Sequence, residues 1–197
     1  MKKLLLPVIL IAIAITACTK EGATEGGSTN NPDTTVVTTP VAGADSVVTF
    51  QDVNIGWSPN SSTYGRVFSS KTGAVYLDNA IPDTMGKYID LAFNYFGTVQ
   101  MNFLSANDAS FDLTVAGSKT TLVRNYVPAD TFAVAAFDTL THAVTLQKLY
   151  VTTDNNSFGA TNLPLLVFFK NGNGKKGVVK VKSLASDHII ADVKVQY

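Results

Sequence analysis

The chain has 197 residues and carries 15 Lys and Arg against 15 Asp and Glu, a formal net charge of zero. Without a basic surplus it lacks the electrostatic footprint of a nucleic-acid binder, and no nucleic-acid partner is expected. Its single cysteine, Cys18, excludes intrachain disulfides and any Cys-rich metal site.

Met1-Lys2-Lys3 forms a short basic start, and Leu4 to Ala17 follows without a charge. That run of about 14 residues fits the ~7–15 of a signal h-region. At ~1.5 Å per residue it reaches about 21 Å, short of the ~30 Å hydrocarbon core of a bilayer. Pro7 further weakens a long helix here. The segment therefore reads as an export signal, residues 1–17, rather than an anchor.

Ile15-Thr16-Ala17-Cys18 resembles the lipobox of bacterial lipoproteins: an aliphatic residue, two small ones, then cysteine. The resemblance implies cleavage after Ala17 and lipid attachment at Cys18. A thiol is the best nucleophile available to take a diacylglyceryl group, and acylation accounts for an odd cysteine in an exported chain. One acyl chain binds a bilayer marginally, at ~0.8 kcal/mol per buried CH₂, so the two or three chains that the pattern implies would make the membrane a permanent partner. Thr19 is not the aspartate that resembles an inner-membrane retention signal, which points to the outer membrane. Lys20-Glu21 resembles the Lys-acidic signals of surface-exposed lipoproteins, so the periplasmic face and the cell surface both stay open. Loss of Lys2 and Lys3 leaves 13 basic residues against 15 acidic, a net charge of −2.

Residues 18–45 are expected to form a lipidated cysteine and a flexible linker. Glu21 to Pro32 is small, polar and Gly-rich, and cannot bury enough apolar area to offset its ordering entropy. About 28 such residues have an r.m.s. reach near 30 Å. Val36 and Val37 give the alternative of an N-terminal strand, since Thr-Val runs pair readily.

Residues 46–197 are one domain of ordinary size, rich in Val, Phe, Tyr and Thr, with Gly and Asn gathered in gaps. Strands are expected at Val47 to Ile55, Tyr64 to Phe68, Ala74 to Leu77, Tyr88 to Phe96, Thr98 to Phe103, Ser110 to Val115 and Leu122 to Tyr126. Ile89, Leu91, Phe93 and Tyr95 share one face, with Ala92 and Phe96 on the other, which reads as burial on both sides. Between Ala129 and Tyr150, Phe137, Leu140 and Val144 lie at i, i+3 and i+7, with Asp138 as a cap, so one or two short helices are expected there. Leu165 to Phe169, Gly177 to Lys182 and Ile189 to Val195 alternate around turn residues and read as an antiparallel meander with one wet face, carrying Lys180, Lys182, Asp192, Lys194 and Gln196. The fold class is all-β: an antiparallel β-sandwich of about nine strands with one or two short helices near 130–150.

Three segments carry a family resemblance: Phe68-Ser69-Ser70-Lys71-Thr72-Gly73-Ala74-Val75-Tyr76, then Tyr88 to Tyr95, then Phe168-Phe169-Lys170 through Gly174 to Val181 and on to Asp192-Val193-Lys194-Val195. With them the domain resembles a family of uncharacterised secreted lipoproteins and lipoprotein-like proteins of Gram-negative bacteria. The resemblance implies a fold and a location, and brings no activity with it.

Several motifs invite chemistry. Gly172, Gly174 and Gly177 match G-x-G-x-x-G, yet Val178-Val179-Lys180-Val181 after them is strand rather than helix, so a hairpin turn is expected and no cofactor. Asp154 to Gly159 offers oxygen ligands beside a glycine but too few carboxylates for calcium, so no metal is expected. His142 and His188 read as surface residues, with Asp138 placed to pair with His142 on a helix. Asp187 and His188 are neighbours on a strand and cannot align as triad members. Asp78, Asp83, Asp90, Asp108 and Asp112 are candidates for paired acid–base carboxylates. Among them Asp90 stands out, because it sits between Ile89 and Leu91 and a buried carboxylate needs partners. Trp57 and Tyr64 are the candidate ligand contacts, as aromatic faces that stack on sugar C–H groups.

With no nucleophile–base pair in the sequence, the expected function is a membrane-anchored, non-catalytic interaction or binding module with a glycan or protein partner. The alternatives are a glycan-binding surface lipoprotein using Trp57 and Tyr64, and a carboxylate-dependent hydrolase.

Overall fold

The computed structural model describes residues 36–38 and 45–197; Ala17, Cys18 and most of the expected linker lie outside the described residues. In chain order the strands are β1 (Val36–Thr38), β2 (Val47–Gly56), β3 (Val67–Phe68), β4 (Val75–Tyr76), β5 (Leu91–Tyr95), β6 (Met101–Ser105), β7 (Leu122–Arg124), β8 (Leu165–Lys170), β9 (Lys176–Leu184) and β10 (His188–Gln196). They make two antiparallel sheets. The larger has the order β1-β2-β10-β9-β8-β7 and the smaller β4-β3-β5-β6. The all-β reading with short helices holds. β1 falls inside the stretch expected as linker and pairs Val36 with Gln51 and Thr38 with Thr49.

The sheets face each other across a core of alternate residues. Phe50, Val53, Ile55, Val167, Phe169, Val179, Val181, Ile189, Ala191, Val193 and Val195 come from the larger sheet, and Phe68, Leu91, Phe93, Met101 and Phe103 from the smaller. The alternation of β10 is as the sequence reads, and the bulge lies on β2, where Gln51 and Asp52 face the single residue Asp192 between the pairs Ala191–Val53 and Val193–Phe50. In that bulge Asp52 takes a left-handed φ of 54°, and its amide donates to Asp192 Oδ1 at 2.9 Å. A bulge adds one unpaired residue and sharpens the local twist.

The expected wet face of the meander is only partly wet. Two short helices, α1 (Val134–Asp138) and α2 (Ala143–Gln147), pack over it through Phe137, Leu140, Ala143 and Leu146 onto Val47, Leu166, Phe168 and Val178. Lysines of the sheet close their C-terminal ends. Lys194 is 7% exposed, and its Nζ donates to the carbonyls of Phe137 (2.8 Å), Asp138 (3.2 Å) and Leu140 (2.9 Å). Lys176 Nζ donates to Gln147 O and Leu149 O at 2.7 and 2.6 Å. Orphan carbonyls at a helix end favour cations, so residues that alternate as solvent-facing serve as caps. Asp138 caps nothing; its carboxylate takes Lys180 Nζ at 2.7 Å. The N-terminus of α2 is closed from 99 residues away, by Asp45 Oδ1 accepting from Val144 N at 2.7 Å.

Two further expectations change. Ser110 to Val115 is no strand. Asp108 Oδ1 takes both the amide and the hydroxyl of Ser110, and that turn chemistry competes with a ladder. Phe111 and Val115 instead plug the outer face of the smaller sheet beside Val67 and Ile89. Phe96 is not buried behind β5 but stands 63% exposed at the β5–β6 hairpin tip, with Val99 83% exposed beside it.

Candidate functional site

Both sheets contribute to one end of the sandwich, where β2, β5 and β9 begin and β10 ends. The β3–β4 turn is tight: Ser69 N bonds Ala74 O at 3.0 Å and Gly73 N bonds Ser69 O at 2.9 Å. Gly73 has φ 75° and lies against Phe50, so that a Cβ would come within 2.3 Å of the Phe50 ring. Only glycine fits both demands. Across the gap, the β8–β9 turn closes through Asn171 N to Lys175 O at 2.9 Å. Asn171 Oδ1 accepts from the amides of Asn173 (3.1 Å) and Lys175 (3.0 Å). The G-x-G-x-x-G segment is the expected hairpin turn.

Between these turns lies a cavity of about 290 Å³. Its floor is Val48, Phe50 and Val195, and its rim carries Lys71, Lys175, Tyr88 and Tyr197. Asp90, just before β5, is in its wall and 4% exposed. Asp90 Oδ2 accepts from Ser70 N at 3.0 Å and from the Ser70 hydroxyl. Asn171 Nδ2 donates to Ser70 Oγ at 3.1 Å. The chain Asp90–Ser70–Asn171 ties the smaller sheet to the larger one. Burial pushes the Asp90 carboxyl above its ordinary value of 3.8, against the hydrogen bonds from Ser70 and Asn171. Among the described residues Asp90 has no Lys, Arg or His partner at ion-pair distance. Lys71 Nζ sits 3.7 Å over the Tyr88 ring, and Lys175 Nζ donates to the backbone oxygen of Tyr197 at 2.6 Å.

The other candidates lie elsewhere. Trp57, at the opposite end, stacks on Tyr95 with centroids 4.4 Å apart and planes 14° apart. Tyr64 packs on His188 at 4.0 Å, so each aromatic has a neighbour on one face. His188 is largely covered, contrary to the surface reading, and bonds Asp187 at 2.7 Å. His142 is 70% exposed and pairs with Asp45 at 2.9 Å, not with Asp138. Where carboxylates converge, a cation lies between them. Asp78 and Asp112 bracket buried Arg66, and Asp52 and Asp192 bracket Lys182. Asp154 is occupied by the amides of Asn125, Tyr126 and Asn156, and the described residues hold no group of three or more metal-ligating side chains. A second cavity of about 380 Å³, beside Tyr126, Phe132 and Pro164, has no charged residue in its lining.

The sequence pointed at Asp90 through its position in an apolar run. It carried no signal for Ser70, Asn171 or the two rim lysines, which reach the site from two different turns. Comparison with protein-family models, curated proteins and solved structures finds no match.

Proposed function

We propose that the chain is a lipid-anchored bacterial lipoprotein of the outer membrane whose β-sandwich is a non-catalytic binding module, with its ligand seated in the end cavity. One observation carries the binding reading: a buried carboxylate, with no cation at ion-pair distance among the described residues, lines a cavity with an apolar floor. Concave, mostly apolar sites with a few convergent polar groups are the usual form of ligand pockets. The lipobox-like Ile15-Thr16-Ala17-Cys18 supports the anchor. Among the described residues no helix is long and apolar enough to cross a membrane. Metabolic labelling with a radioactive fatty acid tests the anchor: label should follow the wild-type chain and be lost in Cys18→Ala. Label retained in that variant sinks the proposal.

A carboxylate-dependent hydrolase is the second reading, favoured by one contact, the Ser70 hydroxyl on the Asp90 carboxylate. Asp90 Oδ2 also takes the Ser70 amide, which makes the carboxylate an acceptor that staples the turn rather than a base committed to the hydroxyl. Turnover of esters, glycosides or peptides that disappears in Asp90→Asn would establish the hydrolase and displace the binding module.

A further inference from the structure

We propose that the end cavity takes a small zwitterion with an apolar body, its ammonium on Asp90, its carboxylate between Lys71 and Lys175, and its apolar group on Phe50, Val48 and Val195. The inference rests on the reading of this cavity as a ligand site and adds the chemical class of the ligand.

Three features of the wall argue for it together. First, a buried carboxylate is costly unless a cation or several donors compensate it. Asp90 has two donors from Ser70, both on Oδ2, with further support from the Asn171 side chain and, at longer range, from the charge of Lys119, and no cation at ion-pair distance among the described residues. An ammonium entering the cavity supplies a charge-assisted hydrogen bond, about twice as strong as a neutral one.

Second, the rim offers the opposite charge. Lys71 and Lys175 both line the cavity, and neither is ion-paired to an Asp or Glu side chain among the described residues. An ammonium has three donors. Lys175 places one on Tyr197 O, while Lys71 is held over the Tyr88 ring, so both have donors left to offer an anion. A ligand carrying only a cation would meet these two lysines, and one carrying only an anion would meet Asp90. A ligand with both charges satisfies wall and rim at once.

Third, the floor and the volume set the rest. Val48, Phe50 and Val195 give an apolar surface between the two charged zones. A space of about 290 Å³ lies at the small end of the ~300–1,000 Å³ range of ligand pockets, which limits the ligand to roughly the size of one apolar amino acid.

The test uses three probes that share a phenyl body: phenylalanine, phenethylamine and 3-phenylpropionate. Each is titrated calorimetrically into the full chain. Phenylalanine should bind at least about tenfold more tightly than either single-charge analogue, the scale of one hydrogen bond to a charged group. This comparison uses the unaltered chain, so it does not depend on any variant folding. Asp90→Asn should weaken phenylalanine about tenfold and should not weaken 3-phenylpropionate, which no longer meets a like charge. The pair Lys71→Gln with Lys175→Gln should weaken phenylalanine and should not weaken phenethylamine, which no longer meets two like charges. Tightest binding of 3-phenylpropionate or of phenethylamine overturns the zwitterion and leaves the binding site standing. Binding of none of the three at millimolar concentration overturns the site and the zwitterion together.

Discussion

The two ends of the sandwich are built from similar parts and finish them differently. At the end where β2 terminates, Trp57 lies on Tyr95 and Tyr64 on His188, and His188 in turn bonds Asp187. At the other end Asp90, Ser70 and Asn171 form a polar chain between the sheets, and above the apolar floor a cavity is left open. Aromatic rings are wide and flat, so two of them brought together by neighbouring loops tend to fill the space they define. Two tight turns meeting at a sheet end leave a gap that their side chains do not fill. The conspicuous residues therefore mark the closed end, and the inconspicuous ones the open end.

Removing a ring from each end gives the largest expected effects. Phe50 is buried, meets Phe68 edge-on at 5.9 Å and lies under Gly73. Phe50→Ala should cost about 3–5 kcal/mol, the range for a fully buried phenylalanine. Trp57 is only half-buried, so Trp57→Ala should cost about 1–2 kcal/mol through lost area and the Tyr95 stack. Urea unfolding of both variants measures the contrast. Equal losses would mean that Trp57 is covered as fully as Phe50, and that the aromatic end is packed as tightly as the core.

How much of this was legible in the sequence depends on how local the cause is. β2, β8, β9 and β10 were readable because their alternation repeats over many residues and their turns carry Gly and Asn. The strand expected at Ser110 was not, because Asp108 and Ser110 set a turn through two side-chain bonds that hydrophobic period does not register. Lys194 alternates as a solvent-facing residue yet is buried, because the helix end it caps is supplied from more than 50 residues away. The candidate site was half legible. Asp90 stood out as a charge in an apolar run, whereas Ser70 and Asn171, 101 positions apart, are brought together only by the packing of the two sheets.

A proton gives a smaller effect than a ring, and its sign separates the cavity carboxylate from an exposed one. Burial raises Asp90 above 3.8, so from 3.8 up to its folded value the native chain binds more protons than the unfolded chain. Stability then falls as pH rises through that window, and the penalty is complete above it. Asp45 is the reverse. The Val144 amide, followed by His142, holds it below 3.8, so its contribution is present above 3.8 and is lost as pH falls through its folded value. Urea unfolding between about pH 2 and pH 7 should show Asp90→Asn removing the decline above 3.8 and Asp45→Asn removing the loss below it. A decline above 3.8 that persists in Asp90→Asn would place the buried, uncompensated charge somewhere other than the cavity.

The smallest expected effect is at the tip of the β5–β6 hairpin, beyond the Trp57–Tyr95 stack. The turn is held by its backbone, Phe96 N to Gln100 O at 2.9 Å and Gln100 N to Gly97 O at 3.1 Å. Gly97, at φ 110°, has nothing within 4 Å of where a Cβ would be. Phe96 is exposed in the folded chain much as in the unfolded one, so Phe96→Ser removes little burial and should change stability by less than about 0.5 kcal/mol. The same holds for Val99→Ser. A loss above about 1 kcal/mol would mean that the tip is covered in solution, since an exposed ring has no comparable burial to lose. If the cover were a second copy of the chain, the loss would shrink on dilution and sedimentation velocity would show the dimer dissociating. A small loss that is independent of concentration leaves the tip a free apolar edge at the aromatic end, and keeps the cavity at the other end as the place where Asp90, two lysines and an apolar floor converge on room for a ligand.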